Sequence, residues 1–416
     1  MGSLKLDGVE LVRVEVPFRH PIGTAAGVHR TRALLFVRVV ADEGEGWGEC
    51  AALAEGTAVD PPLDEVERAA VERVADRLQR AAAARRGRLP SAAEVPKLFG
   101  TSPVDRMLAA AFEMAVSDAE LRAEGRSLVD TLGTGPGFEA LPVGAVAGIP
   151  PDRELGALCR EVGAAVESGA ARVRLKIEPG WDVEPVRAVR KAHPDLTLQV
   201  DANGSYRGEP DDVATLSRLA DEGVLCVEQP LPPSDLIALA ELAQKLPLPI
   251  CLDESLSSPR RVLDALRNGA CAMACLKPGR LGGLRATRVA HAACAAAGVP
   301  VFVGGFFEAG LGRAANLALA EPGRRRLGER RGRSVRVPGA RPLWLPRCGR
   351  RVGAGTAGPR RRAAARRGRA GAAGGEASLV PRHLHLTLHA SCSPRTADQG
   401  RPRPARTGAR GAGRPR

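Results

Sequence analysis

Five charged residues follow one another through the middle of the chain at intervals of about 25 residues. They are Lys176, Asp201, Glu228, Asp253 and Lys277, and each one ends a short apolar stretch. These stretches have the length and β-branched content of buried strands, where a charge is tolerated only at a strand end. Because the carboxyl ends of parallel barrel strands open onto one face, we expect the five side chains to converge.

Three carboxylates and two lysines favour one kind of chemistry. Carboxylate oxygens from neighbouring strands suit Mg²⁺ or Mn²⁺, and zinc is disfavoured because no His or Cys competes for the role. A divalent cation can stabilise the charge left when a proton α to a carboxylate is removed. A lysine can take that proton if neighbouring cations favour its neutral form. The pattern therefore predicts metal-dependent removal of a proton α to a carboxylate.

The segments around these residues predict the elements that position them. Short apolar segments alternate with amphipathic helices, which is typical of a parallel β/α barrel. The seven predicted strands are residues 143–148, 172–177, 196–201, 224–228, 249–253, 274–277 and 299–305. An open doubly wound sheet is the alternative, but it would need an early glycine-rich phosphate loop, which the sequence lacks.

A different pattern precedes the barrel. Residues 8–50 predict a small antiparallel sheet, and residues 63–86 and 103–124 predict helices. Strands followed by helices indicate an α+β domain. We therefore predict an α/β fold, a (β/α)7β-type TIM barrel at residues 133–320 behind an α+β capping domain at residues 1–132.

The motifs at the strand ends resemble a known family. RVRLKIEPGWD, LQVDAN, VEQPL, CLDES, LKPGRLGG and VFVGGFFEAGLGRAANLALA resemble the muconate-lactonising branch of the enolase superfamily. Within that branch they are most similar to the o-succinylbenzoate synthases of menaquinone biosynthesis, some of which also racemise N-acylamino acids. The resemblance covers residues from about 8 to about 320.

The resemblance implies a role for each of the five residues. Lys176 would be the base, and Asp201, Glu228 and Asp253 would hold Mg²⁺ or Mn²⁺. Lys277 would stabilise the enolate or act as a second acid and base. The implied reaction is a dehydration that gives o-succinylbenzoate, and the alternative is N-acylamino acid racemisation or a related cycloisomerisation.

Other residues are candidates for the surroundings of the substrate. They are Arg174, Asn203, Glu254, Gly304, Gly305 and Glu308. Arg174 stands where the family has the first Lys of Lys-x-Lys, and it keeps the charge with a different donor geometry. Asn203 and Glu254 either contact the ligand residues or are structural. Gly304 and Gly305 either let substrate approach the backbone or make a turn.

Composition excludes several other classes of protein. The nine Cys are odd in number and never spaced C-x-x-C, so neither a disulfide framework nor a zinc site is expected. Residues 1–21 include Glu10 and Glu15 and no long apolar run, which argues against a signal peptide or membrane span. We expect a cytoplasmic protein whose partner is a small-molecule carboxylate and not a membrane. Self-association into a homo-oligomer stays open.

The C-terminal tail, residues 321–416, differs from the rest of the chain and is not recognisable as folded. The whole chain has 61 Lys and Arg, 47 Asp and Glu and a net charge of +14, but residues 322–416 hold 25 Arg, no Lys and three acids. The remainder is therefore net acidic. No eighth barrel strand is recognisable in the tail.

Two explanations of the tail stay open. One is an arginine-rich extension that binds nucleic acid or anionic surfaces, which would be a function of a different class. Nucleic acid is not the expected partner, because the tail lacks interleaved aromatic residues that could stack on bases. The other explanation, which we favour, is a shift of reading frame in a GC-rich gene near Ala320. Arginine without lysine follows codon composition, whereas phosphate binding would accept both residues.

Overall fold

The described residues form two separate β-sheets. The computed structural model describes residues 4–24, 27–132, 141–320 and 382–384. One sheet has four antiparallel strands and the other has seven parallel strands. The domain boundary predicted near residue 133 and most of the predicted tail lie outside the described residues.

Three strands of the antiparallel sheet and the helices that follow them lie in the N-terminal region, where such a sheet and helices were predicted. Its long strands are β1 (Leu6–Thr24), β2 (Gly27–Ala41) and β3 (Gly44–Cys50). The helices that follow are α1 (Leu63–Ala69), a π-helical turn (Ala70–Val74), α2 (Ala75–Ala83), a 3-10 turn (Val95–Leu98), α3 (Pro103–Glu124) and α4 (Leu128–Leu132).

Helix α3 has the bounds that its sequence signals predict. The Ser102 hydroxyl caps its start by accepting from the Asp105 N–H at 3.1 Å, Pro103 is its first residue, and Gly125 ends it with φ +64°. The helix packs directly on β3. A Cβ at Gly48 would lie 2.0 Å from the Ala111 carbonyl oxygen, so only glycine permits this approach.

The seven-stranded sheet carries the predicted β/α repeat. Its strands are β4 (Gly144–Ala147), β5 (Arg172–Lys176), β6 (Thr197–Asp201), β7 (Val227–Glu228), β8 (Ile250–Leu252), β9 (Met273–Leu276) and β10 (Val301–Val303). The helices are α5 (Leu155–Glu167), α6 (Val183–Ala192), α7 (Pro210–Arg218), α8 (Leu236–Lys245), α9 (Pro259–Arg267), α10 (Pro278–Leu281), α11 (Leu284–Ala296) and α12 (Gly310–Leu319).

The strands lie in the order β10-β9-β8-β7-β6-β5-β4 and curl into a half-barrel. Strand order follows chain order throughout, as a β/α barrel requires. The predicted fold class is confirmed for this region. In the part of the chain that the structure describes, no eighth strand joins β10 to β4, so these two strands are the edges of the sheet.

One short segment of the tail belongs to the first sheet. Strand β11 (Arg382–Leu384) pairs antiparallel with β1 along Leu11–Arg13. The remaining predictions for residues 321–416 lie outside the described residues. Among the helices that the structure describes, none combines the length and the apolar character needed to cross a bilayer.

Candidate active site

The five strand-end residues of the half-barrel lie on one face of it. Lys176, Asp201 and Glu228 are the last residues of β5, β6 and β7, and Asp253 and Lys277 directly follow β8 and β9. The three carboxylates are at most 1% exposed, and Lys277 is 9% exposed. The structure therefore brings together the residues that the sequence singled out, although each role remains a prediction.

Each of the three carboxylates is paired with a cation. The Lys176 ammonium donates to Asp201 at 2.7 Å, and the Lys277 ammonium donates to Asp253 at 2.7 Å. Between these two pairs, the Arg174 guanidinium donates to Glu228 at 2.6 Å. The Arg174 substitution thus retains a cation inside the barrel, next to the middle carboxylate.

The pKa of the middle carboxylate, Glu228, is raised, whereas the pKa values of Asp201 and Asp253 are lowered. Burial raises the pKa of Glu228 to about 8; attraction to Arg174 opposes this shift, and repulsion from Asp201 and Asp253 adds to it. The Gln199 amide also donates to Glu228. A bound cation would reduce the repulsion between these buried carboxylates.

Asp253 has a second cationic partner that sequence reasoning missed. Arg280, on α10, donates to Asp253 and makes two hydrogen bonds, of 2.9 and 2.6 Å, to the carboxylate of Asp60 in the N-terminal region. Burial would raise the pKa of Asp253, but Lys277 and Arg280 outweigh it and hold that pKa well below its usual range. Burial lowers the pKa of Lys277, but Asp253 outweighs it and the net shift is upward. Arg280 lies in the LKPGRLGG motif, one helical turn after Lys277. That spacing could have indicated that both cations face the same site.

Asn203 contacts the first lysine and connects it to Glu254. The Asn203 amide oxygen accepts from the Lys176 ammonium at 2.6 Å, and its amide nitrogen donates to Glu254 at 2.9 Å. Asn203 has φ +45°, an uncommon value for a residue other than glycine, and its N–H donates to Asp201 at 3.0 Å. The tight turn after β6 thus aims this side chain back at the site, which favours contact with the strand-end residues over a distant structural role.

Gly304 and Gly305 make room for protein side chains. A Cβ at Gly304 would lie 2.5 Å from the Cys275 sulfur, and a Cβ at Gly305 would lie 2.4 Å from a carboxylate oxygen of Glu308. Glu308 is buried and accepts from the Asn316 amide at 3.1 Å. Close packing therefore requires glycine at both positions.

The two phenylalanines of this loop differ in environment. The Phe306 ring lies 4.6 Å from the Lys277 nitrogen and 5.1 Å from the Arg280 guanidinium carbon, in cation–π geometry. Phe307 has φ +58° and packs edge-on against Phe18 of β1 at 5.7 Å. Phe306, in the VFVGGFFEAGLGRAANLALA motif, therefore lies within reach of the predicted second lysine.

The donor set suits a hard divalent cation. Asp201, Glu228 and Asp253 offer carboxylate oxygens from adjacent strand ends, and Glu254 adds a buried carboxylate oxygen without a hydrogen-bond partner within the described residues. These residues fit the predicted Mg²⁺ or Mn²⁺.

The expectation that no Cys competes for the metal role was wrong. One ligand atom each from Glu228, Asp253 and Cys275 lie within 4.8 Å of one another. Neighbouring barrel strands are staggered, and the pairing of Leu252 with Ala274 places Cys275 beside Asp253, one residue further along both strands. The sequence shows the residues of each strand but not this stagger.

Comparison with protein families identifies two matching regions. Residues 8–133 match the family model described as mandelate racemase / muconate lactonizing enzyme, N-terminal domain. Residues 157–325 match the model described as enolase C-terminal domain-like. The second match spans most of the half-barrel, including all five strand-end residues.

Individual relatives carry two different names. An N-succinylamino acid racemase of Amycolatopsis is 43% identical over 318 residues, which are 76% of this chain and 83% of the relative. An o-succinylbenzoate synthase of Geobacillus kaustophilus is 35% identical over 318 residues, covering 76% and 82%. Among solved structures, a probable mandelate racemase of Alicyclobacillus acidocaldarius is 38% identical, with a TM-score of 0.67 over 76% of this chain and 82% of that one.

Proposed function

Since this chain belongs to the mandelate racemase and muconate lactonizing enzyme family of the enolase superfamily, we propose that it removes a proton α to a carboxylate of a small-molecule substrate with the help of Mg²⁺ or Mn²⁺. One observation carries the proposal. Lys176 and Lys277 lie on opposite sides of Glu228 in the strand order, each 2.7 Å from a carboxylate oxygen of a neighbouring strand end. Two amines beside three buried carboxylates are the groups that this reaction needs.

The cation would be held by Asp201, Glu228 and Asp253, and when bound it would stabilise the negative charge that develops on the substrate carboxylate. Arg174 fixes the orientation of Glu228, and Arg280 fixes that of Asp253. Protein cations therefore hold two of the three carboxylates in place. Such preorganisation lowers the cost of assembling the site around a substrate.

In the proposed reaction Lys176 takes the α-proton. The amide oxygen of Asn203, 2.6 Å from the Lys176 nitrogen, holds the amine in place. Arg174 is the neighbouring cation; its Nε is 3.7 Å from Asp201, the partner of Lys176. On the other side of the substrate, Lys277 supplies positive charge.

The finer proposal is dehydration to o-succinylbenzoate. After proton abstraction the Lys176 ammonium hands its proton to the departing hydroxyl on the same face, so water leaves and an aromatic ring forms. The relatives named o-succinylbenzoate synthase, which include the 35% identical Geobacillus protein, support this reaction. It would make the chain a carbon–oxygen lyase that acts in menaquinone biosynthesis.

Racemisation of N-succinylamino acids is the second candidate. The 43% identical Amycolatopsis relative carries that name, and the similar contacts of Lys176 and Lys277 suit a reaction that uses one lysine on each face of the substrate. Here Lys277 would return a proton to the face opposite Lys176. Both candidates share the first step and differ only in the fate of the intermediate.

One experiment separates the two reactions. The full-length protein is incubated with Mg²⁺ and either the synthase substrate or an N-succinylamino acid in D₂O, while ultraviolet absorption reports the aromatic product and proton NMR reports α-deuterium exchange. Aromatic product supports the lyase, whereas conversion of one enantiomer into the other supports the racemase. If both substrates gave no product and no α-deuterium exchange, the proposed chemistry would be rejected.

Lysine variants add the assignment of roles. For racemisation, Lys176→Ala should strongly slow exchange from one enantiomer, and Lys277→Ala should strongly slow exchange from the other. Each activity is expected to fall by roughly 10²–10⁴-fold, the usual contribution of an acid or base. Lys245→Ala is the matched control, because Lys245 is an exposed lysine at the end of α8.

A further inference from the structure

The Cys275 thiol has no part in the proposed reaction, yet it lies at the candidate metal site. It is 1% exposed, and within the described residues it makes no hydrogen bond. Its sulfur and one carboxylate oxygen each of Glu228 and Asp253 lie within 4.8 Å of one another. This buried thiol is therefore aimed at two buried carboxylates.

The surrounding backbone holds this thiol in place. A Cβ at Gly304 would lie 2.5 Å from the Cys275 sulfur, so the glycine leaves the space that the thiol fills. The thiol belongs to a buried cluster with Cys226, Cys251 and Met273, in which the Cys226 thiol is 3.8 Å from the Met273 sulfur. The thiol is thus packed among buried sulfur-containing side chains and lies close to the two carboxylates.

We propose that Glu228, Asp253 and Cys275 form a second, softer metal site that binds a thiophilic divalent cation such as Zn²⁺ or Cd²⁺. Two oxygens and one sulfur from three adjacent strands are a donor set that Mg²⁺ does not use but that zinc-like cations accept. Binding replaces the thiol proton, which passes to solvent. The site shares two carboxylates with the proposed magnesium site, so the two cations exclude each other.

Asp201 distinguishes the two sites. Its carboxylate accepts from the Lys176 ammonium at 2.7 Å and is not part of the group of three ligand atoms around Cys275. The magnesium site needs Asp201 and the soft site does not. Competition between the cations rests on the proposed function, whereas the soft site rests only on the geometry of its three residues.

Titration of the full-length protein with Cd²⁺ tests the proposal, because a thiolate bound to cadmium gives an ultraviolet charge-transfer absorption that does not depend on activity. We expect this absorption band to saturate at one Cd²⁺ per chain. The band should be lost in Cys275→Ser and in Cys275→Ala. The band should persist in Cys294→Ser, which changes a buried cysteine of α11. Circular dichroism checks that each variant is folded.

The outcomes are distinct. A band that survives in both Cys275 variants, or is absent in the parent protein, would overturn the proposal. Asp201→Asn should keep the band, and its loss there would also overturn the assignment of ligands. If the band depends on Cys275 but excess Mg²⁺ leaves the Cd²⁺ affinity unchanged, the soft site stands and the shared magnesium site of the proposed function fails.

Discussion

The inner strands and the edge strands of the half-barrel differ in how well their inward-facing residues are covered. On the inner strands, Gln199 of β6 and Cys251 of β8 are fully buried. On the edges, Val146 is 38% exposed although its register partner is Arg174, and Phe302, the partner of Cys275, is only half-buried. All of the strand-end chemistry lies on strands with neighbours on both sides. The five strand-end residues therefore all lie on inner strands of a sheet that is not closed within the described residues.

The largest expected effect concerns the contact between the inner strands and the N-terminal region. Arg280 is 3% exposed and pairs with both Asp60 and Asp253. Arg280→Met should lower the free energy of unfolding by about 3–5 kcal/mol, because it leaves the buried Asp60 carboxylate without a cation and takes from Asp253 one of its two cations. Chemical denaturation measures the change.

The matched control for this variant is Arg267→Met. Arg267 is 74% exposed in its side chain and lies 3.6 Å from Asp264, so its loss should cost at most about 1 kcal/mol. If the two variants lost the same free energy of unfolding, buried ion pairs would not be what stabilises the inner strands. The contrast with the edge strands would then fail.

How far the sequence predicts the molecule depends on how local each signal is. The seven strands and the five strand-end charges were predictable because apolar periodicity and the burial of a charge act within a few residues. The Arg280–Asp60 pair was not predictable, since its members are 220 residues apart and nothing in the local sequence of either one marks it as buried. Which residues surround Cys275 depends on the stagger between strands, which the sequence does not show. Gly304 is needed because a Cβ there would meet the Cys275 sulfur, so this requirement could not be predicted either.

A second prediction tests how the N-terminal region holds the helix that follows the edge strand β10. The Glu49 carboxylate accepts from the Ala309 and Gly312 N–H groups, both at 2.8 Å, at the start of α12. Burial raises the pKa of Glu49 to about 7; these hydrogen bonds and Arg32 oppose that shift, and Glu308 adds to it.

The sign of the pH dependence is set by this upward shift. The folded state binds the Glu49 proton more tightly than the unfolded state, in which the pKa is about 4.5. The favourable contribution is present below about pH 4.5 and is lost as the pH rises through about 7, a change of about 3 kcal/mol. Glu49→Gln should make the stability flatter across this window in denaturation curves measured at several pH values.

Part of the pH dependence should remain in that variant. Burial also raises the pKa of Glu113, on α3, to about 7, and this carboxylate accepts from the Arg285 N–H at 3.2 Å. Glu113→Gln in the Glu49→Gln background should remove a further part of the slope, and Glu228, whose pKa is raised to about 8 by burial, should contribute to what remains. An unchanged slope in Glu49→Gln alone would mean that Glu49 does not carry the contact between the N-terminal region and the edge.

The smallest effect compares one substitution on an edge strand and on an inner strand. Val146→Thr should change the free energy of unfolding by no more than about 0.5 kcal/mol, because the side chain on β4 is already part-exposed. Val200→Thr, at a fully buried position of β6, should cost about 1–3 kcal/mol, since the new hydroxyl has no partner. Equal losses would show that β4 is as well covered as β6 and would remove the distinction between edge and inner strands.

Val146→Lys extends the test to self-association, because a lysine on an exposed edge opposes pairing between copies. Light scattering at increasing concentration should show less association for Val146→Lys than for the parent protein, which is the expected behaviour of a sheet whose edges are open in solution.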